Sequence, residues 1–179
     1  MRNDDTETLS MLWDKGADPN RINTNTRYGA ALHECAYHGN LLMTRILLEH
    51  PRSTINVNLC AGEFQTAVIA AVCRPDASTK ELSKKAAERA TSKMFERRCR
   101  MLDYLVKQKK ADITITGGLY GNLLNATATQ GSSKLLKYVI DTFSLTPDSV
   151  DQEGRSPAHT ACLTRENVCL LYTSPSPRD

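Results

Sequence analysis

The sequence predicts an all-α chain: a solenoid of stacked helix-turn-helix repeats with a long helical insert in the third unit. Three observations lead there. The set Tyr28-Gly29, Gly39 and Ile46-Leu47-Leu48 returns as Tyr120-Gly121, Gly131 and Tyr138-Val139-Ile140, every feature 92 residues further on. One offset shared by three features with unlike residues between them marks an internal repeat. Apolar residues recur at helical spacing on either side of the glycines. Aromatic residues make up only 6% of the chain, which suits helices better than a sandwich of aromatic and β-branched strands.

Residues 6–25 read as the second half of a unit. Leu9, Met11, Leu12 and Trp13 give one apolar helical surface, Gly16 supplies the left-handed residue that ends a helix, and Asp18-Pro19-Asn20 is turn chemistry. A solenoid unit cannot bury its apolar face without a neighbour. Each large apolar side chain left fully in water forfeits about 1.5–3 kcal/mol, against a domain stability of about 5–15 kcal/mol. Met1 is therefore expected not to be the natural start of the folded array.

The second unit, residues 26–58, is the most complete. Ala30, Ala31, Cys35 and Ala36 are small residues at helical spacing, which lets helices approach closely. Gly39 breaks this first helix, and Leu41, Leu42, Ile46 and Leu47 form the stripe of the second. Pro51 ends it, and Ile55-Asn56-Val57-Asn58 leads out as an extended arm. The third unit, residues 59–116, opens with Val68, Ala71 and Val72 where Leu32, Cys35 and Ala36 stood. Leu32 to Val68 is 36 residues but Val68 to Leu124 is 56, and the excess of about 23 over a 33-residue period measures an insert over 76–98. Ser78 and Glu81 fit a capping box and the residues after them are good helix formers, so the insert is expected to lengthen the second helix at its N-terminal end. The fourth unit, 117–150, carries Leu123, Leu124, Ala126 and Ala128 on its first helix and Leu135, Leu136, Tyr138, Val139 and Ile140 on its second. A truncated fifth unit, 151–168, begins with a tight turn at Gly154 and with Ser156-Pro157, an N-cap followed by proline at the first helical position. Leu32, Val68, Leu124 and Ala158 are expected to align in one row.

Net charge is +3, too small for the whole chain to seek a polyanion. The longest apolar run, Ala67–Cys73, is far shorter than a membrane span, and residues 1–10 lack the apolar core of a signal peptide. Six cysteines show no CxxC and no metal-ligand spacing, as suits free thiols in a reducing compartment. The cytoplasm is the expected location, with the nucleus as the alternative.

Ser156-Pro157-Ala158-His159-Thr160-Ala161 resembles the T-P-L-H-x-A signature of the ankyrin repeat family, whose 33-residue unit is a β-turn and two antiparallel helices. Leu32-His33-Glu34-Cys35-Ala36 keeps the middle of that signature, and Gly16-Ala17-Asp18-Pro19-Asn20 resembles the turn between repeats. The Tyr-Gly-x-x-Leu variant at Tyr28 and Tyr120 is similar to repeats common in large fungal ankyrin proteins. The fourth unit has Asn125 and the third Ile69 at the histidine position. The resemblance spans about residues 6–168 and implies an ankyrin-type α-solenoid in which His33 and His159 bond the backbone between repeats. Cys169–Asp179, CLLYTSPSPRD, departs from it and matches one reading frame of a transposon-end sequencing adapter. This tail reads as non-native, and the chain as a fragment cut at both ends.

No catalytic constellation stands out. His33 with Cys35 or His38 fits no zinc spacing. Cys162 three residues after His159 is a routine helical neighbour, and its position, shared with Ala36 and Ala128, is expected to be buried and its thiol inert. Gly117-Gly118-Leu119-Tyr120-Gly121 lacks the Lys-Ser/Thr of a phosphate loop and reads as a repeat turn. Asn125-Ala126-Thr127 fits a glycosylation acceptor but falls on a helix. No enzyme activity, metal or cofactor is expected.

The expected role is display to another protein, with the chain itself a monomer. Glu34, Tyr37, His38, Thr129 and Gln130 face away from the small-residue core in the helical reading and are the candidate contacts, Tyr37 being the anchor because aromatic residues dominate interface hot spots. The second candidate is the insert. Thr79–Arg100 holds eight cations, among them Lys84, Lys85, Arg89, Lys93, Arg97 and Arg98, against three glutamates. A basic helix could meet nucleic acid or an anionic membrane, though the absence of interleaved aromatics argues against nucleic acid. A third reading makes the array the recognition arm of a larger enzyme or sensor, by analogy alone.

Overall fold

Helices of two turns do not persist alone in water, so their ends and their packing decide this fold. The computed structural model describes residues 4–73 and 84–163, and these form eight α-helices. They are α1 (Asp4–Asp14), α2 (Ala31–Tyr37), α3 (Leu41–Glu49), α4 (Ala67–Val72), α5 (Lys84–Leu102), α6 (Leu123–Thr129), α7 (Ser133–Phe143) and α8 (Pro157–Leu163). Helix α5 passes directly into a π-helical segment, Asp103–Gln108. Among the described residues there is no strand, only two isolated bridges, Ala61–Gln65 and Gly117–Gly121, each inside a turn. No helix among them is long and apolar enough to cross a membrane.

Side-chain caps set most helix starts by accepting an otherwise unpaired backbone N–H. Thr66 accepts from Ile69 N at 3.3 Å, Asn122 from Asn125 N at 2.7 Å, Asn40 from Met43 N at 3.2 Å and Ser132 from Leu135 N at 3.3 Å. Helix α2 starts at Ala30, which has no side chain to cap with. The breaks α2–α3 and α6–α7 fall at Gly39 and Gly131, with φ of +63° and +69°.

Helices α2, α4, α6 and α8 touch in succession, while α3 packs on α2, α7 on α6, and α5 against α3, α4 and α7. The core lies between these two rows. Leu32, Val68 and Leu124 are buried at equivalent places in the first row. Ala158, the fourth residue expected there, is exposed, because nothing among the described residues covers that side of α8.

Between units the backbone itself is bonded. Glu63 N donates to Arg27 O at 2.8 Å and Leu119 N donates to Glu63 O at 2.7 Å. These tips are 36 and 56 residues apart, the same offsets that separate Leu32, Val68 and Leu124. Such close approach needs glycine below each tip: a Cβ on Gly62 would sit 2.5 Å from Arg27 O, and one on Gly118 2.5 Å from Glu63 O. The arms repeat a second bond. Asn56 N donates to Asn20 Oδ1 and Asp112 N to Asn58 Oδ1, both at 2.8 Å.

Helix α5 has 19 residues, against nine in α3, and its extra turns lie before Met101, the side on which the insert falls. Residues 76–83 of the insert, including Ser78 and Glu81, lie outside the described residues, as do 164–179 with the whole of Cys169–Asp179. Arg98 turns inward from α5 and its Nη2 donates to the carbonyl of Cys73, at the end of α4, at 3.0 Å. Further on, Tyr104 of the π segment donates to Glu49 Oε1 at 2.9 Å while Arg45 and Lys109 lie over its ring. The long helix is thereby pinned to both of its neighbours.

Candidate protein-binding surface

The turns stack a column of rings. Tyr28, Phe64 and Tyr120 hold one position in three successive units, again 36 and 56 residues apart. Tyr28 and Phe64 lie with centroids 6.0 Å apart and planes 21° apart; Phe64 and Tyr120 lie 5.9 Å and 5° apart. Gly154 takes the place in the next unit and ends the column. Phe64 was not singled out by sequence reasoning. The signal was there: the step of 36 from Leu32 to Val68, applied to Tyr28, arrives at Phe64.

Tyr37, expected to face outward, does not. It is only 6% exposed, with its ring 5.1 Å from Phe64 and 5.2 Å from Tyr28. Helix α2 ends after this residue, so the ring folds back against the turn column instead of standing clear. Arg27 covers both rings, its guanidinium 5.5 Å from Tyr37 and 5.3 Å from Phe64, and pairs with Glu63 at 3.4 Å. His38 is exposed and sets an edge against Tyr37 at 5.3 Å. Glu34 is exposed; Thr129 and Gln130 are half-buried. Thr129 donates its hydroxyl to Ala126 O at 2.7 Å and accepts from Gln130 Nε2 at 3.2 Å. Glu34 and His38 therefore share the end of α2, while Thr129 and Gln130 mark the end of α6, two units away. The turns of these units add the exposed Arg27 and Leu119 and the half-buried rings of Tyr28 and Tyr120, with Phe64 fully buried between them.

The basic helix is less uniformly cationic than its sequence. Arg89, Lys93 and Arg97 are exposed. Arg98, expected on the same face, is buried because it serves the Cys73 carbonyl. Arg100 pairs with Glu96 one turn away at 3.6 Å. The backbone of Lys84 and Lys85 lies in α5; their side chains are outside the described residues.

The residues at the histidine position act between units where they are covered. His33 Nε2 donates to Gln65 O at 3.3 Å. Burial holds its pKa below the ordinary imidazole value, against the opposing pull of the Gln65 and Leu59 carbonyls. Asn125 does the same work two units along: its Nδ2 donates to Arg155 O at 3.0 Å and to Asp151 Oδ2 at 3.1 Å. Its complete burial removes it as a glycosylation acceptor. Asp151 also accepts from Arg155 Nε at 2.8 Å. Burial raises its pKa, but the bonds from Arg155 and Glu153 outweigh that and hold the carboxyl below its usual range. His159, expected to bond across units, pairs within its own helix instead, with Ser156 Oγ at 2.8 Å. Cys162, expected to be buried, is exposed. Both departures follow from the uncovered side of α8.

Three other thiols are poor nucleophiles. Burial pushes Cys35 and Cys99 up to about 11 and Cys73 up to about 12, so all three keep their protons near neutral pH. Among the described residues no group of three or more His, Cys, Asp or Glu could hold a metal ion. Compared with models of protein families the chain matches none, and no curated protein matches it.

Proposed function

We propose that the chain is an ankyrin-type α-solenoid that works as a protein-protein interaction module in the cytoplasm, without catalysis of its own. The observation that carries this reading is the bonded row of turn tips. Arg27, Glu63 and Leu119 are locked backbone to backbone at the repeat offsets, so their side chains are held out at fixed spacing above a shared column of rings. A rigid surface loses little conformational freedom when a partner docks, and that saving goes into affinity. Tyrosine and arginine are also the residue types on which interface energy concentrates, and Arg27, Tyr28 and Tyr120 meet here. With Tyr37 buried, the exposed contacts become Glu34, His38, Arg27 and Leu119, joined by Thr129 and Gln130 at the far end.

The test is site-directed photocrosslinking in cells, with the probe at His38, at Leu119 or, on the opposite row, at Lys137. One protein captured from both His38 and Leu119, and not from Lys137, supports the reading. Capture from Lys137 alone, or of unrelated proteins from each position, rejects it. The rival reading, an electrostatic contact through Arg89, Lys93 and Arg97, predicts binding to DNA duplex or anionic vesicles that weakens steeply with salt.

A further inference from the structure

Units two to four enclose a cation of the chain's own. The guanidinium of Arg27 lies 5.5 Å from the centre of the Tyr37 ring and 5.3 Å from that of Phe64, and its Nε meets Glu63 Oε2 at 3.4 Å. Tyr37 and Phe64 are 5.1 Å apart, with Tyr28 beside both and Tyr120 on Phe64. These four rings come from three units, so only the stacked array assembles them. The site is also built once. In the next two units the place of Arg27 is taken by Glu63 and Leu119, and that of Tyr37 by Cys73 and Thr129. Rings together with a carboxylate are the chemistry that recognises a guanidinium.

Arg27 is held there loosely. Its side chain is 39% exposed and that of Glu63 48%, and an ion pair so exposed is worth little. The 3.4 Å contact is also longer than the roughly 2.7–2.9 Å of a charge-assisted bond. Glu63 N donates to Arg27 O at 2.8 Å, so the Arg27 side chain must double back to reach a carboxylate on the tip bonded to its own. An arginine arriving from outside is not so tethered and can set two nitrogens on both carboxylate oxygens. We infer that Tyr37, Phe64 and Glu63 form a recognition site for an arginine side chain of the partner, with Arg27 as a resident stand-in that the arriving arginine displaces into solvent. The inference rests on the interaction reading above and names the side chain by which that partner is read.

The probe is N-acetylarginine amide, and its citrulline counterpart, alike in shape but uncharged, is the control. Nuclear magnetic resonance of the full chain with labelled phenylalanine rings reads the site directly. The chain has three phenylalanines, and Phe95 and Phe143, in α5 and α7, serve as references. Arg27→Ala should bind the probe about fivefold more tightly than wild type, the weight of a cation held over a ring at an exposed site, with the shift confined to Phe64. Glu63→Gln in that background should reverse the gain, and the citrulline compound should shift nothing. Equal affinity in wild type and Arg27→Ala, an equal response to citrulline, or shifts that spread to Phe95 and Phe143 would overturn the inference. Arg27→Gln, which keeps part of the stem, repeats the comparison if Arg27→Ala fails to fold. The result is separable from that of the crosslinking. Probe binding at Phe64 in a chain that captures no protein upholds this site and sinks the interaction reading, whereas a captured partner with no probe binding sinks this site alone.

Discussion

Ala30 is the one first-row N-cap without a side-chain oxygen, and replacing it by serine should stabilise the protein. The backbone at Ala30, φ −145° and ψ 155°, matches Thr66 at −131° and 157° and Asn122 at −136° and 172°. A hydroxyl there would point as Thr66 Oγ1 does and accept from His33 N. It would also meet the ring of His33, whose Nδ1 is buried with no hydrogen-bond partner, as Ser156 Oγ meets His159 Nδ1 at 2.8 Å. Converting alanine to serine at an N-cap is worth about 1 kcal/mol, and satisfying a buried orphan acceptor about 1–3 kcal/mol more. Allowing for desolvation of the new hydroxyl, a gain of about 2 kcal/mol is expected. For a chain of this size that raises Tm by about 4–8 °C. Urea titration followed by circular dichroism measures the gain, and the same substitution in a His33→Leu background isolates the ring: there only the cap term of about 1 kcal/mol should survive. An unchanged or lowered midpoint for Ala30→Ser, or an equal gain in both backgrounds, would refute the reasoning.

Phe64→Ala removes the ring that Tyr28 and Tyr120 sandwich and should cost about 3–5 kcal/mol, while Leu119→Ala at the exposed tip should stay within about 0.5 kcal/mol of wild type; thermal melts compare the two. Arg98→Ala leaves the buried Cys73 carbonyl unpaired and should cost about 1–3 kcal/mol, whereas Arg97→Ala, one residue earlier and exposed, should be near neutral by the same measurement. Gly62→Ala places a Cβ against Arg27 O at positive φ and should destabilise by more than about 1 kcal/mol, loosening amide hydrogen exchange at Glu63 first. His33 is held neutral by burial, so the unfolded chain takes its proton more readily. Its contribution is constant well above the ordinary histidine value of about 6.5 and is lost as pH falls below it. His33→Asn, the residue found at this position two units later, should flatten that acid-side slope in urea midpoints taken from pH 7 to 5.

The helices were legible because their signals are local. Gly39 and Gly131, the stripes of α3 and α7 and the run after Ser78 each speak for a few neighbouring residues. Burial of single polar or aromatic residues was not legible, because it is decided across units. Tyr37 reads as outward on a helical wheel, and only the arrival of Phe64 from the next turn makes it part of the core. Arg98 sits in a run of cations, and nothing local says that a carbonyl 25 residues back will claim it. The π segment was likewise invisible: Met101, Leu102, Tyr104 and Leu105 read as an ordinary helical stripe, and all four are buried although the π turns begin at Asp103. Ala158 and Cys162 failed for the opposite reason. Their pattern is that of a buried helix, but pattern cannot supply the surface that does the burying.

The tip-to-tip bonds are 2.8 and 2.7 Å long although 36 residues lie between one pair of tips and 56 between the next. Pitch and contour length are thus uncoupled in this chain. The insertion ahead of α5 alters neither the spacing of the tip side chains nor their order, so length added there leaves the row of exposed tips unchanged. The same spot would accept a grafted reporter or epitope without resetting the row of bonded tips.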